Sequence, residues 1–259
     1  IAMKFELITI PTQEDNYNFL LHAGGRTILV DAPPDVTPIA DALTERGWGL
    51  DEIWVTHHHW DHIDGVDTLR ERFGAKVRGC KADAHRLPAL DYFHEDGDSF
   101  DFGEFAVTVM DVSGHTEGHI AYYVPQAGVL FSADSLMALG CGRVPDGQAE
   151  LMEQMYRSIT RLSALPPETI VCSGHEYTLA NGRFALTIEP ENPDLIQRIA
   201  EAKEARAAGK ATVPSSLELE HKTNPYLRAG LQSVKAALNM SEATDAEAFI
   251  EIRRRKNSF

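Results

Sequence analysis

Cysteine is scarce in this chain: there are three in 259 residues, Cys80, Cys141 and Cys172, odd in number and widely spaced. That excludes a disulfide framework and a cysteine-built zinc site, and a reducing cytoplasm is the expected compartment. Long apolar runs are also missing, since no stretch approaches the roughly 18 residues of a membrane span. A leader with basic, apolar and small-residue segments is absent, so no export is expected. Met3 reads as the natural start, with Ile1 and Ala2 foreign to it. Basic residues are outnumbered, 24 Lys and Arg against 39 Asp and Glu, for a formal charge of −15. A field of that sign opposes nucleic acid and anionic membranes, and an anionic substrate would need a local basic patch.

What remains is an ordinary globular composition, with 43% hydrophobic and 24% charged residues, and 19 Gly and 13 Pro to make many turns. The length suits one large domain with a small appendage. Runs rich in β-branched and aromatic residues predict strands at 5–10, 19–22, 27–30, 52–55, 105–110, 121–124, 129–131 and 169–172. Gly24-Gly25 reads as a hairpin turn. Thr37 as N-cap, Pro38 in the first turn and Gly47 at the end frame one helix. Hairpins and βα units together predict mixed sheets in a layered α/β fold. After about Tyr177 the strand-like runs stop, and 191–208, 231–239 and 243–256 carry helical spacing in Ala, Glu, Lys and Arg. The expected division is therefore 3–177 and a helical 178–259.

The chemistry concentrates in Thr56-His57-His58-His59-Trp60-Asp61-His62. His57 and His59 follow the apolar run Ile53-Trp54-Val55, and residues two apart in extended backbone point the same way, so both rings can converge on one ion. Asp61 and His62 can serve a second. His115, Asp134 and His175 each follow a strand-like run beside small residues that admit close backbone approach. Together these give five histidines and two carboxylates, enough for two divalent ions. Two such ions with Asp61, Asp134 and one hydroxide leave one net positive charge, which attracts an oxyanion. If Asp134 bridges ions roughly 3.5–4 Å apart, a shared water can ionise near neutral pH and attack a polarised carbonyl without a protein nucleophile. His119 reads first as structural, and, lying four residues beyond a proposed ligand, it is also a candidate to orient one. His22, His58, His85, His94 and His221 read as structural.

The cluster Thr56–His62, with His115, Asp134 and His175 in that order, resembles the metallo-β-lactamase superfamily. The resemblance implies an αββα sandwich of two mixed β-sheets with a small all-helical C-terminal domain. Gly174-His175-Glu176-Tyr177-Thr178, Thr223-Asn224-Pro225-Tyr226-Leu227-Arg228 and the closing Arg253-Arg254-Arg255-Lys256 are similar to the glyoxalase II (hydroxyacylglutathione hydrolase) family within it. That similarity implies His57, His59 and His115 on one metal, Asp61, His62 and His175 on the other, and Asp134 on both, with zinc first and iron or manganese admitted. It places Arg143, Tyr177, Arg253 and Lys256 against glutathione, and it implies hydrolysis of S-(2-hydroxyacyl)glutathione by a metal-bridging hydroxide, with Asp61 and Asp134 catalytic, in methylglyoxal detoxification. Pro145 departs from the family, because it has neither a phenolic hydroxyl nor a backbone N–H to offer a substrate. Asp64 replaces a glycine frequent in the family.

Three other readings remain. The same fold could serve another thioesterase, a lactonase or a lactamase. A persulfide dioxygenase would use one iron on two histidines and an aspartate. A metal could also merely stabilise the fold, with closed coordination shells. A monomer is expected, and Arg253→Ala is expected to raise KM far more than it lowers kcat.

Overall fold

The computed structural model describes residues 3–259, so the expectation for Ile1 and Ala2 lies outside the described residues. Contacts group the described residues into two compact units, residues 3–111 with 118–133, and residues 112–117 with 134–259.

The first unit begins with β1 (Glu6–Thr12), β2 (Asn16–Ala23) and β3 (Arg26–Val30), which pair antiparallel. Gly24 and Gly25 turn the β2–β3 hairpin at φ 59° and 76°, the left-handed region that a two-residue hairpin turn demands and that glycine enters without penalty. The sheet then continues parallel through β4 (Glu52–Trp54), β5 (Lys76–Cys80) and β6 (Tyr92–His94). Parallel neighbours need long crossovers. Helix α1 (Thr37–Arg46) occupies the first, and the single turn α2 (Trp60–Ile63) and α3 (Val66–Phe73) occupy the second. Ile39, Leu43, Val66 and Leu69 of these helices share a core with Leu20, Leu29, Ile53 and Val77 of the sheet.

Strands β7 (Ser99–Phe102), β8 (Phe105–Asp111), β9 (Ile120–Val124) and β10 (Val129–Ala133) run antiparallel in a second sheet. Its inner face meets the first sheet around the fully buried Trp54. That ring lies 5.3 Å from Phe100 and 6.1 Å from Phe131, both edge-on, and 5.2 Å from Tyr122. The Tyr122 hydroxyl donates to Val55 O at 2.8 Å, so the aromatic layer buries no idle polar atom. The first sheet, antiparallel through β1–β3 and parallel from β3 to β6, is mixed as expected. One cap differs from expectation: Val36, not Thr37, holds the N-cap position of α1, and Thr37 N donates to Asp35 Oδ1 at 3.0 Å. Asp35 supplies the acceptor from two residues upstream, so the threonine hydroxyl is not needed.

The second unit holds a hairpin of β11 (Leu136–Met137) and β12 (Gly140–Cys141), helix α4 (Ala149–Ser163) and strand β13 (Ile170–Ser173). Helices α5 (Thr178–Ile188) and α6 (Pro193–Ala207) follow, then β14 (Ser215–Ser216), α7 (Leu217–Thr223), α8 (Gln232–Ala237) and α9 (Asp245–Asn257). Three of these helices are capped by side chains: Asn192, Ser216 and Thr244 each accept from backbone N–H groups of the first turn. The segment after 178 is helical as expected except for β14, which pairs antiparallel with β13. The compact unit nevertheless begins before 178, because α4, β13 and the β11–β12 hairpin fall in it.

Inside this unit, Glu220 of α7 is fully buried and anchors the hairpin. Its Oε1 accepts from Leu139 N at 2.8 Å and from Arg198 Nη1 at 3.0 Å, while Oε2 accepts from Arg198 Nη2 at 2.6 Å. Leu139 sits at φ 58°, a left-handed conformation that a branched side chain adopts only when its surroundings hold it there.

Candidate metal centre

In the first unit the histidine cluster leaves the end of β4. Asp31, at the end of the neighbouring β3, ties this loop down: Thr56 N and Thr56 Oγ1 donate to its carboxylate at 2.8 and 2.7 Å, and His62 Nδ1 donates to Oδ2 at 2.8 Å. Because Thr56 Oγ1 donates to Asp31, it accepts from His57 Nδ1 at 2.9 Å. Both His57 and His62 therefore carry their proton on Nδ1, which makes Nε2 the nitrogen able to ligate a metal.

The cluster is close. Ring centroids of His57 and His59 lie 4.9 Å apart, and those of His57 and His62 4.2 Å apart. His62 Nε2 is 3.3 Å from Asp61 Oδ2, and Asn16 Nδ2 donates to that same oxygen at 3.0 Å. His119 stacks on His57 at 4.4 Å with the planes 10° apart. Asp31, His57 and His62 also bring ligand atoms within 4.8 Å of one another. Since the hydrogen bonds just described engage both Asp31 oxygens, we read this residue as the holder of ligands and not as one. Burial pushes the Asp31 carboxyl above its ordinary pKa, against the lowering effect of its bonds to His62 and Thr56.

The second unit carries His115, Asp134 and His175. His115 Nδ1 lies 2.8 Å from Arg143 O; a carbonyl can only accept, so this ring too is protonated on Nδ1 and presents Nε2. Its Nε2 is 3.5 Å from Asp134 Oδ2, and His175 Nε2 is 3.2 Å from the same oxygen. Two imidazole nitrogens thus converge on one buried carboxylate. Gly142 makes this possible: a Cβ there would lie 1.8 Å from Asp134 O and 2.9 Å from His115 Cβ. Ser158 of α4 donates to Ser113 O at 2.8 Å and supports the loop that carries His115.

Beside these residues lies a pocket of about 360 Å³, and His115, Asp134, Arg143, Tyr177, Arg253 and Lys256 all line it. Tyr177 stacks on His175 at 4.8 Å, with the planes 2° apart. Arg143 is exposed, whereas Arg253 is only 5% exposed; its two Nη atoms bond to the protein and its buried Nε has no protein partner. Its Nη1 donates to Cys141 O at 2.9 Å and Gly142 O at 3.3 Å, and its Nη2 donates to Asn257 Oδ1 at 3.1 Å. Lys256 is held below the ordinary lysine pKa by partial burial and by the nearby charges of Arg253 and Arg183. Asp31, Asn16, Arg183 and Asn257 were not picked out from the sequence. For Asp31 a signal existed, an acidic residue ending a strand one place from the histidine strand. Of the histidines expected to be structural, His22 stacks on Trp48, His94 contacts Asp98 and Arg78, and His221 contacts Ser163 O.

Comparisons with known proteins identify the family. The family described as "Metallo-beta-lactamase superfamily" matches residues 12–175, and that described as "Hydroxyacylglutathione hydrolase C-terminus" matches residues 176–259. A hydroxyacylglutathione hydrolase of Roseobacter denitrificans is 56% identical over 259 residues, covering 99% of this chain and 100% of the relative. The enzyme of that name from Ruegeria pomeroyi is 52% identical with the same coverage. Among solved structures, ETHE1 from Myxococcus xanthus aligns with a TM-score of 0.68 at 25% identity, covering 98% of this chain and 92% of its own. The chain belongs to the metallo-β-lactamase superfamily and, within it, to the hydroxyacylglutathione hydrolase family.

Proposed function

We propose that this chain hydrolyses S-(2-hydroxyacyl)glutathione thioesters, S-lactoylglutathione among them, to glutathione and a 2-hydroxy acid, the step that serves methylglyoxal detoxification. The observation that carries this reading is the single pocket lined by His115 and Asp134 together with Arg143, Tyr177, Arg253 and Lys256. Glutathione has two carboxylates and one ammonium, and a chain of formal charge −15 needs cations gathered at one place to retain it. In this proposal residues 178–259 supply the glutathione side, with Tyr177 at the junction.

For the metals we propose His57, His59 and His115 on one divalent ion, Asp61, His62 and His175 on the second, and Asp134 on both. The donor set supports it: hydrogen bonds fix three rings with Nε2 as the ligating nitrogen, and imidazole with carboxylate suits zinc first, then iron or manganese. When bound, such ions supply a water ionised near neutral pH and a Lewis acid for the carbonyl oxygen.

The chain's own residues do the rest. Asp61, held by Asn16, and Asp134, beside His115 and His175, supply the two carboxylates of the ligand set. Tyr177 and the cations fix the thiol half, so that the thioester carbonyl is delivered at His115 and Asp134. The leaving thiol has a pKa of roughly 8.5, so it departs as thiolate with little need of a proton donor. We further propose that the protein acts in the cytoplasm as a monomer; among the described residues no helix is long and apolar enough to cross a membrane.

A panel of thioesters that differ in acyl and thiol halves, with metal content measured on the same sample, tests the reading. Preference for glutathione over coenzyme A thioesters at about two metal equivalents is the expected result. Equal use of both thiols, or rapid oxygen uptake with a glutathione persulfide, overturns it.

A further inference from the structure

The segment Cys141–Val144 joins the metal ligand His115 to the end of α9. Its four successive carbonyls are all taken. Those of Cys141 and Gly142 accept from Arg253 Nη1 at 2.9 and 3.3 Å, that of Arg143 faces His115 Nδ1 at 2.8 Å, and that of Val144 accepts from Asn257 Nδ2 at 2.7 Å. Asn257 Nδ2 also donates to Asp146 Oδ1 at 3.0 Å, so it grips the loop on both sides of Pro145. Its Oδ1 accepts from Arg253 Nη2 at 3.1 Å, which joins the two grips into one. The Arg143 carbonyl that orients the His115 ring is thus flanked by carbonyls held from α9, one turn apart on that helix. Proline at 145 has no N–H with which to tether the loop by itself.

We propose that Asn257 is a positioning residue: with Arg253 it clamps Cys141–Val144, and the Arg143 carbonyl so placed fixes His115 in the orientation and tautomer that ligate metal. The proposal rests on the reading of His115 as a ligand. The same clamp lies in the pocket proposed for glutathione.

The test compares the full chain with Asn257→Ala, with Asn257→Asp, which keeps the acceptor for Arg253 but loses the N–H donated to Val144 O, and with the exposed Arg254→Ala as control. Zinc affinity is measured by competition with a chromophoric chelator, without any thioester present. Ligand-supporting partners are worth about 10–100-fold in metal affinity, and a residue one step further out should cost about 3–10-fold. That loss is expected in both Asn257 variants and not in Arg254→Ala. The thermal midpoint of each metal-free protein separates this loss from general unfolding, and the aspartate variant stands in if the alanine variant does not fold. Unchanged zinc affinity overturns the proposal, whether or not KM for a glutathione thioester rises, because a rise in KM alone would make Asn257 a substrate contact. If the unaltered chain shows no preference for glutathione thioesters while the variants still lose zinc affinity, the proposed function fails and the clamp stands.

Discussion

Asp31 Oδ2 lies 2.8 Å from His62 Nδ1, and the same carboxylate also takes Thr56 N and Thr56 Oγ1. One residue outside the histidine cluster therefore sets the tautomer of His62 directly and that of His57 through Thr56. Asp31 sits at φ 58°. Asparagine tolerates this conformation nearly as well as any non-glycine residue, so Asp31→Asn isolates the hydrogen-bond chemistry. An amide NH₂ facing His62 would favour the opposite tautomer, with the proton on Nε2 where a ligand lone pair is needed. The expected outcome is a fall of about 10–100-fold in metal affinity, read as metal per chain after dialysis against graded chelator, with kcat falling in step.

Gly142 supports a second prediction. A Cβ at this position meets Asp134 O at 1.8 Å, a backbone atom that cannot rotate away. Gly142→Ala should force the loop off Asp134 and His115, at a cost at or above the upper part of the 1–3 kcal/mol range, so about 3 kcal/mol. Chemical denaturation checks the stability. Loss of hydrolysis should exceed what the unfolded fraction explains, because the His115 support is displaced as well.

Chelation offers a third test. Removal of divalent metal should abolish thioester hydrolysis, and added zinc, iron or manganese should restore it to different degrees. Residual turnover above about one per cent of the original in verified metal-free protein would contradict metal-assisted hydrolysis. The range of rate lost when metal-activated water is withdrawn is far larger than that.

Why part of this was legible beforehand has a physical basis. His57, His59, Asp61 and His62 lie within six residues of one another, so the short loop that leaves β4 and the turn α2 suffice to bring them together. The strands around Phe5, Phe19, Thr27 and Phe105 were visible for the same reason, since their β-branched and aromatic runs are local signals. Strand β5, Lys76-Val77-Arg78-Gly79-Cys80, shows no such run because Arg78 is buried by a partner distant in sequence, Glu52, at 2.6 Å. Asp31 and Asn257 escaped notice for a related reason. Their meaning lies in hydrogen bonds spanning 25 and 113 residues, which no local pattern records. Thr37 misled because its type suits an N-cap, while Asp35 already supplies the acceptor.

Glu220 supplies a pH-dependent prediction. Burial raises its carboxyl pKa, and Arg198, Ser215 and Leu139 N together overcome this and leave it below the ordinary glutamate value of 4.5. A depressed folded-state pKa contributes stability that is present above 4.5 and is lost as pH falls through the folded value. Glu220→Gln should cost about 3–5 kcal/mol at pH 7, since it leaves Arg198 charged and buried without its partner. Denaturant titrations of metal-free protein should show the gap between the original chain and this variant narrowing only below pH 4.5.

Lys256 and Arg253 line the same pocket, yet they should fail differently when truncated. Arg253 is buried and holds the Cys141 and Gly142 carbonyls, so Arg253→Ala should lower kcat as well as raise KM. This revises the expectation of an effect on KM alone. Lys256 is partly buried, and burial together with Arg253 and Arg183 holds its pKa below 10.5. Lys256→Ala should raise KM for a glutathione thioester by about tenfold, roughly 1.4 kcal/mol, at nearly unchanged kcat. In the original chain the ammonium is lost as pH rises toward that lowered value, so KM should climb at a lower pH than an ordinary lysine would dictate. Lys256→Arg should remove this alkaline rise, because guanidinium stays charged throughout the range. Measuring the affinity of a non-hydrolysable S-alkylglutathione from pH 7 to 10 avoids spontaneous thioester hydrolysis. A rise in dissociation constant that persists unchanged in Lys256→Arg would assign the titration to another group.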